Sequence, residues 1–427
     1  MRRDLNLYWW GQTTSAFGSV FTLIAMPIIA VTHLDASPGE LGLISGAGIL
    51  PILLFGLPAG AIADRIARPR RVLIALDSTS ALAVGVVALG MANNAVAVPW
   101  LIVLSFISGC VTILAEVIYF IHLRQLTGAE GIGKARARLQ AGQYGAGFAG
   151  RLLAGPIIVV LGAGAALAVD ALSYVLSAAA LLSMTPAVAV SREPSRDPAP
   201  RVAGLLRGMG AGLRFFAGDA FHRALMVVII VPIATMAGIG ALTAPFLLNV
   251  VHVPTAAYGL LFAATGLMGL AGSAVAGRLL QRDPRLLTLT SFAAGTACAL
   301  LLPLAVGPLP LAATLAALGI SLPLFFGAIA NVTLGPVIVA DVAEDAMGRT
   351  VAMLRVLGAA AGLIGALAGG FLGDWIGVRP SILLLEACAL GAIAITLPPA
   401  VRAVRHLPPT SSPDKVVEAG EREAAPL

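Results

Sequence analysis

The chain has 427 residues, of which 59% are hydrophobic and only 11% are charged, and its mean hydropathy is +0.95. A soluble domain carries roughly 25% charged residues, so a hydrated surface for a globule of this size is excluded and the apolar excess must face lipid. The net charge is +6, but the basic residues stand in short runs between long apolar spans. That arrangement is typical of loops anchored at a membrane face, and it argues against a nucleic-acid partner.

Apolar stretches long enough to cross a bilayer recur along the chain, since about 20 largely apolar residues suffice for one crossing. Six precede a polar segment and six follow it. In chain order they cover residues 8–31, 41–63, 72–92, 96–120, 139–161, 164–185, 224–250, 256–280, 286–306, 309–340, 351–372 and 380–400. The pattern predicts an all-α membrane protein with twelve transmembrane helices in two six-helix bundles.

The predicted domain organisation follows from these stretches. We expect an N-terminal six-helix bundle over residues 1–190, a cytoplasmic linker over 191–223 and a C-terminal six-helix bundle over 224–400. Residues 401–427 are rich in Pro, Ser and charge, which predicts a disordered cytoplasmic tail.

Orientation follows from the loops that carry Lys and Arg, because these residues are concentrated on the cytoplasmic side. One set of loops carries nearly all of them, and the opposite loops carry none apart from Arg379. By parity both termini belong to the basic side, which requires an even number of spans. We therefore predict cytoplasmic termini and a multi-pass protein whose surroundings are the lipid bilayer.

A motif follows the second span, in the run GAIADRIARPRR from Gly60 to Arg71. It resembles the loop signature between the second and third helices of the major facilitator superfamily, with Ala67 at the position of the second Gly and Pro69 where a basic residue is usual. The resemblance implies the two-bundle fold of that family, with two pseudo-symmetric halves, and a conformational latch between the halves. In this sequence the latch residues would be Gly60, Asp64, Arg65 and Arg68.

A degraded copy of the motif begins at Gly277, 277 − 60 = 217 residues later, with Gln281 where the first copy has Asp64. Two parallel six-helix repeats are the expected architecture of such transporters.

The fifth span contains the pair Gly155-Pro156 in a glycine-rich setting, which resembles the antiporter signature of drug-exporting members, with Arg151 in place of a usual Gly. Segments such as Tyr8-Trp9-Trp10 and 170–174 look like bacterial exporters of the enterobactin-exporter and macrolide-efflux kind. The resemblance implies a monomeric, proton-coupled exporter in the bacterial inner membrane, without a cofactor. Its substrate would be an amphipathic small molecule such as a drug, a secondary metabolite or a siderophore.

Charged residues inside the spans are candidates for function, since a charge at the bilayer centre costs at least about 2.5 kcal/mol. The acids Asp77, Glu116, Asp170 and Glu386 are candidates for proton coupling. Asp170 and Glu386 are 386 − 170 = 216 residues apart, which favours a shared structural role such as binding free amides near a helix start.

Substrate binding is predicted at three residues. Arg151 would lie about 18 Å from the cytoplasmic start of the fifth span. It is expected to pair with an acid on a facing helix, to bind an anionic substrate group, or to form a permanent structural ion pair. Helices 1, 4, 7 and 10 line the cavity in the family the chain resembles, which adds Gln12 and Asn331. The polar lining there is sparse, which favours an amphipathic substrate.

Alternative functions remain open at this stage. An importer, a lipid transporter and a non-transporting sensor or secretion accessory protein would share these spans. A membrane-embedded enzyme is disfavoured, because the five histidines are all predicted to lie in loops or at helix ends. The three cysteines show no metal-ligand spacing, so no metal site is expected. ATP hydrolysis is not supported, since no phosphate-binding Gly-x-x-x-x-Gly-Lys-Ser/Thr loop is present.

Overall fold

The computed structural model describes residues 2–56, 66–185, 210, 216–279, 281–342 and 344–404. Within these ranges the chain forms helices and no strand. The twelve helices are α1 (Arg2–Thr32), α2 (Pro38–Phe55), α3 (Pro69–Ala92), α4 (Val98–Gly128), α5 (Gly131–Leu161), α6 (Ala163–Leu182), α7 (Ala220–Pro245), α8 (Thr255–Leu279), α9 (Pro284–Ala299), α10 (Leu309–Asp341), α11 (Glu344–Ile376) and α12 (Val378–Val404).

The predicted all-α architecture of twelve helices is confirmed, with one difference in length. Eleven of the described helices are long and apolar enough to cross a membrane. The ninth predicted span, 286–306, instead holds the 16-residue helix α9 followed by turns, in which Leu302 N–H donates to Ala299 and Ala305 N–H to Leu302. Tighter i to i+3 bonds of this kind end many helices, and they carry this segment onward after the α-helix stops.

Several helix starts are explained by side-chain caps. Ser37 accepts a hydrogen bond from the N–H of Glu40, whose carboxylate accepts one from Ser37 N–H in return, and this capping box starts α2. Asp219 caps α7 and Asp283 caps α9 in the same way, by accepting bonds from backbone N–H groups. Such caps satisfy amides that have no partner within the helix.

Two glycines separate α4, α5 and α6. Gly128 has φ 71° and Gly162 has φ 86°, both in the left-handed region that side chains with a Cβ rarely adopt. The first breaks what would otherwise be one helix from Val98 to Leu161, and the second turns the chain back into α6. The chain thereby reverses direction twice.

Helices α1–α6 pack on one another, as do α7–α12, and the two halves meet mainly through α2 against α11 and α5 against α8. Both contacts run through glycines. A Cβ on Gly42 would lie 2.8 Å from the Ala366 carbonyl oxygen, and one on Gly259 would lie 2.8 Å from the Gly155 nitrogen. Small residues let helix backbones approach closely in membranes, and here they join the two halves.

The apolar core shows at which end the halves are joined. We call the end where α1 and α7 begin and α6 and α12 finish the terminal end, and the opposite end the distal end. The largest buried cluster lies at the distal end and contains residues of both halves, such as Ile28, Ile158 and Phe246. The two clusters at the terminal end, around Tyr8 and around Phe221, each belong to one half. The halves are therefore closed distally and parted at the terminal end.

The start of the predicted linker and the end of the predicted tail lie outside the described residues. Helix α7 begins at Ala220, within the range predicted as linker, and α12 continues to Val404, four residues into the predicted tail. The domain limits as such remain predictions.

Candidate functional site

A cavity of about 400 Å³ lies within the first half, among α1, α3, α4, α5 and α6. Its wall is richer in polar groups than the sequence suggested, because polar side chains from five helices line it together. The polar lining residues are Gln12, Ser15, Ser19, Asp77, Thr112, Glu116, Tyr119, Arg136, Gln140, Gln143 and Tyr174. The volume falls within the range of small-molecule sites.

Asp77 is the carboxylate of this wall that has unused hydrogen-bonding capacity. It is 2% exposed, and its Oδ2 has no hydrogen-bond partner among the described residues. The side-chain nitrogen of Gln12, also buried and lining the cavity, lacks a partner in the same part of the chain. Buried polar atoms are nearly always paired, so an acceptor and a donor without partners on one cavity wall indicate a place for a ligand or a proton.

Glu116 lines the same cavity and is bound to the other half. Its carboxylate accepts a hydrogen bond from the Arg355 guanidinium of α11 at 2.9 Å, with side chains 63% and 60% exposed. An exposed ion pair contributes about 0–1 kcal/mol, so this one can break during movement of the halves. Arg355 lies inside the apolar stretch 351–372. It was not among the candidates predicted from the sequence, although it is a charged residue within a predicted span.

Asp170 is buried between α6 and α1 and is fully engaged. It accepts hydrogen bonds from the hydroxyl of Thr22 and from the hydroxyl of Ser173 at 3.3 Å. Glu386, its predicted counterpart, is 1% exposed, and its Oε2 has no partner in the described chain. The expectation that both acids bind free amides near a helix start is therefore wrong: one binds hydroxyls, and the other is left without a bond.

Arg151 lies on α5 at the contact with α8, where its backbone carbonyl oxygen packs against Gly259. Its side chain is half-buried, and a guanidinium nitrogen lies 3.3 Å from the position that a Cβ on Gly266 would take. Across the described ranges no acid forms a salt bridge with it, which excludes the expected ion pair there. The residue is not part of the cavity wall that holds Gln12.

Asn331 lies in a second cavity, of about 270 Å³, formed by α7, α9, α10 and α12 of the second half. Its side-chain nitrogen donates to the Gly327 carbonyl oxygen of its own helix at 2.9 Å. The three predicted substrate-binding residues thus occupy three separate places: one in each cavity and one between the halves.

Three of the four predicted latch residues, Gly60, Asp64 and Arg65, lie outside the described residues. Arg68 stands at the start of α3, exposed and without a side-chain cap bond. Its neighbour Arg70 donates to the carbonyl oxygens of Leu181 at 2.7 Å and Leu182 at 2.8 Å. A cation at the end of α6 satisfies carbonyls that lack a helical partner, so Arg70 ties α3 to α6.

The second half holds a charged cluster at the corresponding place, and sequence reasoning did not identify it. Arg285, 285 − 68 = 217 residues after Arg68, forms a salt bridge with Asp341 at the end of α10. The His222 imidazole lies 2.6 Å from Asp219 and 3.5 Å from Asp341. The repeat offset was a signal that pointed to Arg285. The cluster fixes the starts of α7 and α9 against α10.

Asp219 precedes α7, outside the membrane-spanning helices, and its pKa is set by opposed effects. Partial burial favours the neutral form, but hydrogen bonds from the His222 backbone N–H at 2.9 Å and from its imidazole hold the pKa below the ordinary value. The carboxylate is therefore charged through the neutral pH range.

One of the histidines, His122, departs from expectation, whereas His222 does not. His122 lies inside α4, 1% exposed, with its ring 5.3 Å from that of Tyr8, and His222 lies in the first turn of α7. The prediction that all five histidines lie in loops or at helix ends is wrong for His122, because apolar helices accept a neutral imidazole against aromatic rings. No group of three His, Cys, Asp or Glu side chains suited to a metal ion occurs in the described part of the chain.

Comparison with known proteins gives matches along most of the chain. The family model of the Major Facilitator Superfamily matches residues 8–335. The multidrug efflux pump Tap of Mycolicibacterium fortuitum is 28% identical over 409 residues, which cover 93% of this chain and 96% of the pump.

Solved structures with a similar fold include three transporters. The nucleoside transporter NupG has a TM-score of 0.67 at 13% identity, over 93% of this chain and 98% of its own. A POT family transporter in complex with 5-aminolevulinic acid has a TM-score of 0.65 at 13% identity, covering 92% and 95%. A bacterial homologue of the lysosomal transporter Spinster, in an inward-facing and unoccupied conformation, has a TM-score of 0.57 at 16% identity, covering 94% and 95%.

Proposed function

Because the chain belongs to the major facilitator superfamily, we propose that this membrane transporter is a proton-coupled exporter of an amphipathic small molecule. Drugs, secondary metabolites and siderophores all include small molecules of this amphipathic kind. The observation that carries the proposal is the first-half cavity, whose lining combines apolar side chains with Asp77, a buried carboxylate whose Oδ2 has no hydrogen-bond partner in the described chain. The likeness to a multidrug efflux pump over most of the chain supports export.

The proposed movement is a rocking of one half against the other about the cavity. The parted terminal end is assigned to the cytoplasm of a bacterial inner membrane, because the basic loops belong to that end. Substrate enters there and binds in the first-half cavity. Opening to the other side then requires the glycine contacts of α2 with α11 and of α5 with α8 to separate while the terminal ends come together.

Asp77 is the proposed coupling carboxylate. Glu116 is held by Arg355, and Asp170 accepts two hydroxyl bonds, whereas Asp77 faces the cavity with a free oxygen. In the proposed cycle Asp77 gives its proton to the cytoplasmic side when substrate binds, and it takes up a proton from the opposite side after substrate leaves. One proton thus moves inward for each substrate carried outward.

Gln12 is proposed to hold the substrate beside Asp77, since its unpaired amide nitrogen is a donor on the same wall. Asn331 is proposed to contact the substrate from the second half. Arg151 is proposed to bind an anionic group between α5 and α8, where its guanidinium has no acidic partner in the described structure. The loop with Gly60, Asp64, Arg65 and Arg68 is proposed to act as the cytoplasmic latch.

The test is transport by the purified protein in proteoliposomes with an imposed proton gradient, using a panel of amphipathic compounds. We expect uphill, gradient-driven movement by the wild type. The Asp77→Asn variant should lose this movement but keep exchange of labelled for unlabelled substrate, which needs no net proton transfer. Glu116→Gln, an acid on the same cavity wall, is the matched control. Gradient-driven transport that persists in Asp77→Asn would refute Asp77 as the carrier, and net movement in the opposite direction would show an importer.

A further inference from the structure

The second-half cavity points to a ligand site of its own. We propose that it is a binding site for an organic cation, in which Glu386 holds the positive group and the surrounding wall holds the apolar part. The inference deepens the proposed function by naming a substrate class, and it rests on that function only for the claim that the bound cation is transported. Binding itself can be measured without transport.

The composition of the wall singles out Glu386. The cavity, of about 270 Å³, is lined by fifteen residues from α7, α9, α10 and α12, and Glu386 is the ionisable one among them. The others are apolar or uncharged, and they include Pro232, Met236, Phe292 and Leu334. No Lys or Arg of the lining is available as a counter-ion. A carboxylate in such surroundings has lost most of its hydration.

Hydrogen bonds from the protein do not compensate Glu386. The side chain is 1% exposed, and its Oε2 has no partner among the residues the structure describes. Two polar groups of the lining are used by their own helices. The Thr296 hydroxyl donates to the Phe292 carbonyl oxygen at 3.0 Å, and the Asn331 amide donates to Gly327. The carboxylate of Glu386 therefore lines the cavity with a buried oxygen for which the described residues supply no donor.

The first half shows what a structural acid at this position looks like. Asp170 stands at the equivalent place in α6, one repeat earlier, and accepts bonds from Thr22 and Ser173. A side chain that served only to join α12 to its neighbours would be expected to have similar donors. Glu386 has none within the described ranges, although it is as fully buried as Asp170. In this proposal, the bound cation is the partner of the Glu386 carboxylate.

The chemistry of the ligand follows from these surroundings. A cation with an apolar body pairs with the carboxylate and covers the hydrophobic wall, while the Phe292 ring offers its face to the same charge. A neutral molecule of equal shape leaves the carboxylate unpaired, and an anion is repelled, so both bind less well. The small volume suits a compact ammonium or guanidinium compound, or the charged end of a longer molecule.

The experiment compares two probes of the same shape, phenyltrimethylammonium and its uncharged isostere tert-butylbenzene. Their binding to the full-length protein in detergent is measured by calorimetry and by the shift of the melting temperature. We expect the wild type to prefer the cation. Glu386→Gln should weaken cation binding by about tenfold or more, as for the loss of a charged hydrogen bond, and leave the isostere unaffected. Glu386→Asp should retain the preference.

Two further variants keep the result decisive. Gly327→Leu fills the cavity without altering the acid, because a Cβ on Gly327 meets no atom within 4 Å, and it should block both probes. If Glu386→Gln fails to fold, the binding of the two probes to Gly327→Leu tests the proposed site instead. Asp35→Asn changes an exposed acid that lines neither cavity and should leave binding unchanged.

The inference is overturned if the wild type shows no preference for the cation, or if folded Glu386→Gln or Gly327→Leu binds it as the wild type does. These outcomes are independent of the transport assay. Loss of coupling in Asp77→Asn concerns the first-half cavity and bears only on the proposed function.

Discussion

Asp374 of the second half accepts a hydrogen bond from the backbone N–H of Gly39 in the first half at 3.0 Å, and another from the Ser37 hydroxyl at 3.3 Å. The bonds join the end of α11 to the first turn of α2, where free N–H groups and the positive end of the helix dipole attract a carboxylate. A Cβ on Gly39 would collide with the Asp374 carboxylate, so the contact requires glycine. This is a directional bond across the closed distal end.

Replacing Asp374 by Asn should favour opening of the distal end. The neutral amide is a weaker acceptor at a helix start, and a loss of about 1 kcal/mol is expected. Spin labels on the distal ends of α2 and α11 would report the change as an increased population of long distances. Asp35→Asn is the control, because Asp35 is exposed in the same region and its side chain forms no hydrogen bond or salt bridge within the described residues. Unchanged distances in Asp374→Asn would contradict the role of this bond.

Gly259→Ala should destabilise the contact between α5 and α8. The added Cβ would lie 2.8 Å from the Arg151 carbonyl oxygen and from the Gly155 nitrogen, and backbone atoms cannot move aside as a flexible side chain would. Overpacking of this kind costs about 1–3 kcal/mol. The melting temperature in detergent should fall.

The matched control is Gly269→Ala on the same helix, where a Cβ meets no atom within 4 Å. Alanine is the better helix former, so that variant should melt at the same temperature or higher. Equal melting of the two variants would show that the close approach of α5 and α8 is dispensable.

The charge of Asp219 should contribute stability that depends on pH. Its pKa is lowered in the folded protein, so the contribution is complete above the ordinary value of 3.8 and is lost as the pH falls through the folded value. Asp219→Asn keeps a helix cap but removes the charge. The melting difference between wild type and variant should therefore be constant between about pH 5 and pH 6, below the range in which the paired His222 loses its proton, and shrink below about pH 4. A difference that grew on acidification would contradict this assignment.

Charge reversal should reveal the ion pair between Glu116 and Arg355. Glu116→Arg places like charges at the contact, and the double exchange with Arg355→Glu restores attraction. Because both side chains are exposed, each single change should alter the transport rate by no more than about fivefold, and added salt should reduce the effect. A double exchange that is as impaired as the single variants would show that the residues act separately.

The helices could be predicted from the sequence, because the length of an apolar stretch and its capping residues are properties of one segment. Ser37 with Glu40, and Asp283 before Pro284, lie next to the helices that they start. The partners of buried charges were not accessible in this way. Thr22 and Asp170 are 148 positions apart, and Glu116 and Arg355 are 239 apart. Hydropathy does not report which faces of distant helices meet.

The repeat offset was informative only in part. It relates Arg68 to Arg285, whose salt bridge with Asp341 marks a charged cluster at the terminal end. It also relates Asp170 to Glu386, but the two acids have different surroundings in the described chain, because only the first accepts hydroxyl bonds, from Thr22 on α1 and Ser173 on its own helix. Duplicated positions keep their place in the fold, and their chemistry is set by neighbours that diverge independently.

The apolar cluster shared by both halves has a consequence for which conformation the protein prefers. Parting the halves at the distal end would expose the surfaces around Ile28, Ile158 and Phe246 to a water-filled passage, whereas the two terminal clusters stay buried within their own halves. Exposing that apolar surface is unfavourable, so the conformation that is closed at the distal end and parted at the terminal end is favoured. In the proposed orientation, that conformation gives access from the cell interior.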